Sequence, residues 1–148
     1  MKRYRNKQWG FELSFPRGWY RPGFFHKLIF PGQAEFFGPH DDSLKFAIAP
    51  ISAEPDYRRH MESLRRIAKE HGHKVHEVGS IEVGGKHHAT MTFTAAFDPE
   101  HRRRLKNYHL VFDGLEFVIT ASLESGEETI DSIVKTFRKL PKAAPSRP

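Results

Sequence analysis

Apolar and polar residues alternate from Gly10 to Phe15, putting Phe11, Leu13 and Phe15 on one side of a half-buried strand. Pro16 ends it, and Arg17-Gly18-Trp19 reads as a turn. A second strand is expected over 24–30, between Pro22-Gly23 and Pro31-Gly32. A loop or ragged hairpin follows over 33–43, and then an apolar strand over 44–51. The first helix runs over 55–71, where Tyr57, Met61, Leu64, Ile67 and Ala68 recur at helical spacing. Arg58, Arg59, Glu62, Arg65, Arg66 and Lys69 take its other face. Pro55 suits its first turn and Gly72 the position just past its end.

A strand over 75–83 turns at Gly84-Gly85, since both positions can take positive φ. In the returning strand Ala89, Met91, Phe93, Ala95 and Phe97 point one way. A charged loop from Asp98 to Arg104 leads to strands over 105–112 and 115–123, joined by the hairpin signal Asp113-Gly114. Ser125 and Glu128 have capping-box spacing. The helix they open carries Ile130, Ile133, Val134, Phe137 and Leu140 on one face and stops at Pro141. Hairpins make antiparallel neighbours, so the class is α+β: a single antiparallel β-sheet with helices packed on its faces. At 148 residues, with no internal repeat or linker, the chain reads as one domain over 1–141, and 142–148 as a frayed tail.

Composition removes several functions. The chain has no cysteine, which excludes thiol catalysis, disulfides, iron–sulfur clusters and Cys-ligated zinc. No stretch is long and apolar enough for a membrane-spanning helix or for the core of a signal peptide, so a cytoplasmic protein is expected. Lysine and arginine number 24 against 18 acidic residues, a net charge of +6 that suits an anionic partner. Glycine is never arranged as a nucleotide-binding loop, and no serine sits in a nucleophile elbow. With no catalytic motif, the chain is not expected to be an enzyme, and no cofactor is implied.

The run Gly10-Phe11-x-Leu13-x-Phe15-Pro16-x-Gly18-Trp19 resembles the entry motif of the PsbP-like superfamily. That group holds the photosystem II extrinsic subunit, Ran-binding Mog-type proteins and bacterial DcrB-like domains. Gly84-Gly85 followed by Ala89, Asp113-Gly114 with Phe117, and Ile130 through Phe137 resemble its two hairpins and its closing helix, so the likeness spans residues 4–140. It implies an α/β/α sandwich and a role in binding or assembly, usually without catalysis. The family has no shared active site, so no residue role carries over.

Three candidate sites follow. A protein partner is expected on the irregular segment 20–42, where Tyr20, Phe25, Phe36 and Phe37 would line an apolar surface. Adjacent aromatics such as Phe36-Phe37 cannot both face one side of a strand. The alternative partner is a nucleic acid, held by Arg58, Arg59, Arg65 and Arg66 together with the basic 102–106 loop. A second alternative is a metal on His71, His73 and His76, in a chain with ten histidines. His87-His88 is a poorer pair, because neighbours on a strand diverge.

Overall fold

The computed structural model describes residues 1–7, 9–21, 33–96, 103–124 and 126–141. The expected strand over 24–30, together with Phe25, Phe97, Ser125 and the tail 142–148, lies outside them. A three-stranded antiparallel sheet contains β1 (Lys2–Asn6), β2 (Phe11–Phe15) and β9 (Arg138–Lys139), in the order β1-β2-β9. A six-stranded antiparallel sheet contains β3 (Gln33–Phe37), β4 (Ser43–Pro50), β5 (Lys74–Val83), β6 (Lys86–Thr94), β7 (Arg104–Phe112) and β8 (Leu115–Ser122), in the order β3-β4-β8-β7-β6-β5. Helix α1 (Tyr57–Glu70) covers one face of the large sheet. Helix α2 (Glu127–Lys135) and the small sheet cover the other.

The α+β class is as expected, but there are two sheets rather than one. The reason lies in β2. Phe11, Leu13 and Phe15 are all buried on one side, and they meet the apolar side of the large sheet face to face rather than joining its edge. The ring of Phe11 sits 5.1 Å from Phe46, 5.5 Å from Phe117 and 5.5 Å from Phe137, bringing both sheets and the segment after α2 together. Two other departures come from backbone hydrogen bonding. The basic opening pairs with β2 as β1, with Tyr4 turned inward onto Phe36. Helix α2 ends at Lys135, and the chain then pairs with β2 as β9, so Phe137 reaches the core from an extended segment. Its N-cap is Gly126, without a side-chain capping bond.

Helix α1 starts at Asp56, whose carboxylate accepts from the Arg58 N–H at 3.1 Å, so Pro55 precedes the helix. At its other end Gly72 adopts φ +75°, and the His73 N–H returns to the Ala68 carbonyl at 2.9 Å. Only Leu64 and Ala68 of α1 are fully buried, against Ala89, Met91, Phe93 and Ala95. Ile67, expected on the apolar face, is 44% exposed. On the opposite face of the sheet a polar tie is added to the apolar packing of α2. Lys106 Nζ donates to Glu127 at 2.7 Å and to Asp131 at 2.9 Å, and the Tyr108 hydroxyl donates to the same Asp131. On the outer strand a bulge between Val75 and Glu77 displaces His76 from the β5–β6 ladder.

Phe11→Ala should therefore lower unfolding free energy by about 3–5 kcal/mol in urea titrations. Gly38→Ala should cost about 1–3 kcal/mol, because an added Cβ would stand 2.5 Å from the Trp19 ring.

Candidate functional site

The sparse packing of α1 leaves a cleft of about 320 Å³ between the helix and the sheet. Leu64, Ile67, Met91 and Phe93 are among its apolar wall, and His60, His109 and Glu116 stand together in it. His60 comes from the first turns of α1. His109 and Glu116 come from the two arms of the hairpin closed by Asp113-Gly114, both of which take positive φ. That turn pairs Val111 with Glu116 and His109 with Val118, which puts His109 and Glu116 diagonally on one face.

Glu116 is bracketed by imidazoles. His60 Nε2 is 3.3 Å from its Oε2, and His109 Nδ1 is 3.6 Å from its Oε1. One ligand atom from each residue lies within 4.8 Å of the other two. The His60 and His109 rings meet edge to face, with centroids 5.0 Å apart. His109 and His60, in that order, pull the Glu116 carboxyl down to about 2, against the upward push of burial. His109 is 7% exposed, and neither of its ring nitrogens has a hydrogen-bond partner. A buried N–H left unpaired costs about 1–3 kcal/mol. The arrangement can bind a cation or hold a proton between bases.

Of the residues picked out in the sequence, His71 and His73 line this cleft and the other described ones lie elsewhere. Tyr20 is 58% exposed on an anchored backbone, whose N–H and carbonyl both bond to Phe37 across an isolated bridge. Its ring lies 5.8 Å from that of Phe37. Phe36 turns the other way into the core, 4.5 Å from Phe15, so the adjacent aromatics do split between two sides. A depression of about 70 Å³ beside Tyr20 is rimmed by Lys2, Arg3 and Arg21, and the Arg21 guanidinium lies over the Tyr4 ring at 4.9 Å. Arg58, Arg59, Arg65 and Arg66 are exposed on α1, sharing that surface with Glu62 and Glu70. His71 and His73 line the same cleft, their ring centroids 6.1 Å apart, and His76 is not among its lining residues. His73 Nδ1 accepts from the Ala96 N–H at 2.9 Å, and His76 bonds Thr94 Oγ1 at 2.7 Å. Among the described residues the histidine cluster with ligand spacing is instead His60, His109 and Glu116.

Part of that cluster had a signal in the sequence. An Asp-Gly hairpin fixes register, and its parity puts His109 and Glu116 on one face. His60 had none, because its place depends on how α1 docks.

No protein-family model and no curated protein sequence matches this chain. Solved structures do share its fold. Cyanobacterial PsbP (CyanoP) from Synechocystis sp. PCC 6803 superposes with a TM-score of 0.58 at 15% identity, covering 93% of this chain and 91% of that one. The Ran-binding protein Mog1p of Saccharomyces cerevisiae gives 0.58 at 9% identity, over 94% and 95%. A protein of Bacteroides thetaiotaomicron VPI-5482 gives 0.57 at 11% identity, over 95% of this chain but 49% of its own length. The fold is PsbP-like.

His88 supplies the pH test. It is 2% exposed and faces away from the cleft, against Phe112. Its Nδ1 accepts from the Val111 N–H at 3.1 Å, so Nε2 carries the proton and donates to the Val83 carbonyl, also at 3.1 Å. Burial holds its pKa below the ordinary 6.5. Above about pH 6.5 the ring is neutral in folded and unfolded chains alike, and its contribution is complete. Below that value the unfolded chain gains a proton that the fold resists, so stability falls. Urea titrations from pH 8 to 5 should show a shallower loss in His88→Gln than in wild type. Long-range nitrogen–proton spectra at pH 6 should show the Nε2–H tautomer.

Proposed function

We propose that this PsbP-like domain is a non-catalytic binding module that takes an acidic segment of a protein partner on the surface around Tyr20. The observation that carries the reading is a large aromatic ring left 58% exposed on a backbone pinned by two hydrogen bonds. A backbone already ordered loses little conformational freedom when a partner covers it, and tyrosine adds only two side-chain torsions to that cost. Tyrosine and arginine are also the residues most often found carrying binding energy at interfaces. Lys2, Arg3 and Arg21 beside the ring set the sign of the complement, in a chain of net charge +6. Mog1p, which shares the fold, is Ran-binding, so its likeness favours a protein as the occupant.

A nucleic acid is the poorer complement. The four arginines of α1 share their surface with Glu62 and Glu70, whereas a groove that follows a phosphate backbone is continuously positive.

Peptide display on the purified protein tests the proposal. Selected peptides should be rich in Asp and Glu, and Tyr20→Ser should weaken them by about 30-fold, the equivalent of a 2 kcal/mol anchor. Arg3→Glu with Arg21→Glu should abolish binding, and Tyr20→Ser should leave the melting temperature almost unchanged. Selection of uncharged peptides, or undiminished binding by Tyr20→Ser, would overturn the reading.

A further inference from the structure

The geometry points to a divalent transition-metal site of the zinc type, formed by His60, His109 and Glu116, that ties helix α1 to the large sheet. Three observations carry it, all separate from the surface around Tyr20.

The first is the donor set. Two imidazoles and a carboxylate are ligands that zinc and its neighbours in the transition series accept, and three protein ligands with a position left over is the usual form of an open zinc site. The cleft supplies that position, since the ligands face a space of about 320 Å³.

The second is spacing. Ligand atoms about 2.0–2.1 Å from a tetrahedral ion stand roughly 3.3–3.4 Å from one another. His60 Nε2 to Glu116 Oε2 is 3.3 Å, and His109 Nδ1 to Glu116 Oε1 is 3.6 Å. The His60–Oε2 edge already has the right length, while His109 reaches the other oxygen of the same carboxylate. Taking one atom from each residue, all three lie within 4.8 Å of one another, so rotations of the rings and the carboxylate would bring them onto a common ion.

The third is the state of His109. It is more than nine-tenths buried on a rigid central strand, and both ring nitrogens lack hydrogen-bond partners. An ion would satisfy the nitrogen that faces Glu116. Glu116 is anchored as firmly, because its strand is paired on both sides, by β4 and β7. His60 is the mobile arm, carried by a helix that buries only Leu64 and Ala68 fully. Binding would therefore stiffen the attachment of α1.

Calorimetry with zinc chloride on the full chain, stripped with chelator and free of any tag, tests the inference. One ion per chain should bind, with a rise in melting temperature at saturating zinc. His60→Gln and Glu116→Gln should each lose at least tenfold in affinity and the thermal shift with it. A variant with His71, His73 and His76 all changed to alanine should keep both. His60 lies on the helix surface of the cleft, so His60→Gln leaves the core intact and separates ligand loss from unfolding. Cobalt substitution supplies a second reading, since a four-coordinate site gives intense visible bands that His60→Gln should remove. Absence of zinc binding by the folded wild type overturns the inference. So does binding that survives His60→Gln and Glu116→Gln, or that is lost only with His71, His73 and His76.

Discussion

The fold depends on one ring, that of Phe11. It lies between Phe46 and Phe117 of the large sheet and Phe137 from the far end of the chain. Burying those rings forces the small sheet to lie flat on the large one, and it brings the residues after α2 back beside β2. The short strand β9 follows from this return. Two residues pair there, and the Leu140 N–H bonds the Gly10 carbonyl at 2.7 Å. Aromatic pairs add about 0.5–1.5 kcal/mol each beyond the area they bury, so a cluster of this size outweighs any of the surface ion pairs.

The large sheet divides the interior unequally. One face carries the aromatic core, closed by the small sheet, α2 and the Lys106–Glu127–Asp131 tie. The other carries a smaller core under α1, whose outer residues are charged. A single helix cannot cover a six-stranded sheet. The uncovered part is where polar groups can be partly buried without displacing apolar packing, and it is there that His109 and Glu116 meet His60. The cleft and the stable core are two results of the same asymmetry.

Local rules made much of this legible in the sequence. Alternation marked β2 and β6, the Gly-Gly and Asp-Gly pairs marked their turns, and the periodicity of α1 fixed its length to within a few residues. Long-range pairing was harder to see. Nothing in Lys2–Asn6 marks a strand except the partner it finds in β2, and Arg138–Lys139 is a strand only because Phe137 is anchored in the core. The candidate site divided along the same line. His109 and Glu116 are related by a hairpin register, which sequence can supply, while His60 arrives through helix docking, which it cannot. Of the histidines that crowd together in sequence, His71 and His73 stay neighbours at the cleft, while the bulge takes His76 out of the β5–β6 ladder.

That bulge governs how the protein meets its own copies. β5 is the last strand of the large sheet, and an open strand invites another chain to extend the ladder. Here the hydrogen-bonding rhythm is broken between Val75 and Glu77, and the exposed side chains nearby include Lys74, His76, Glu77, Ser80 and Glu82. A second copy approaching this edge would find its donors and acceptors out of step at the bulge. The irregularity thus acts as a stop on sheet growth, keeping ten residues of accessible backbone from seeding an aggregate.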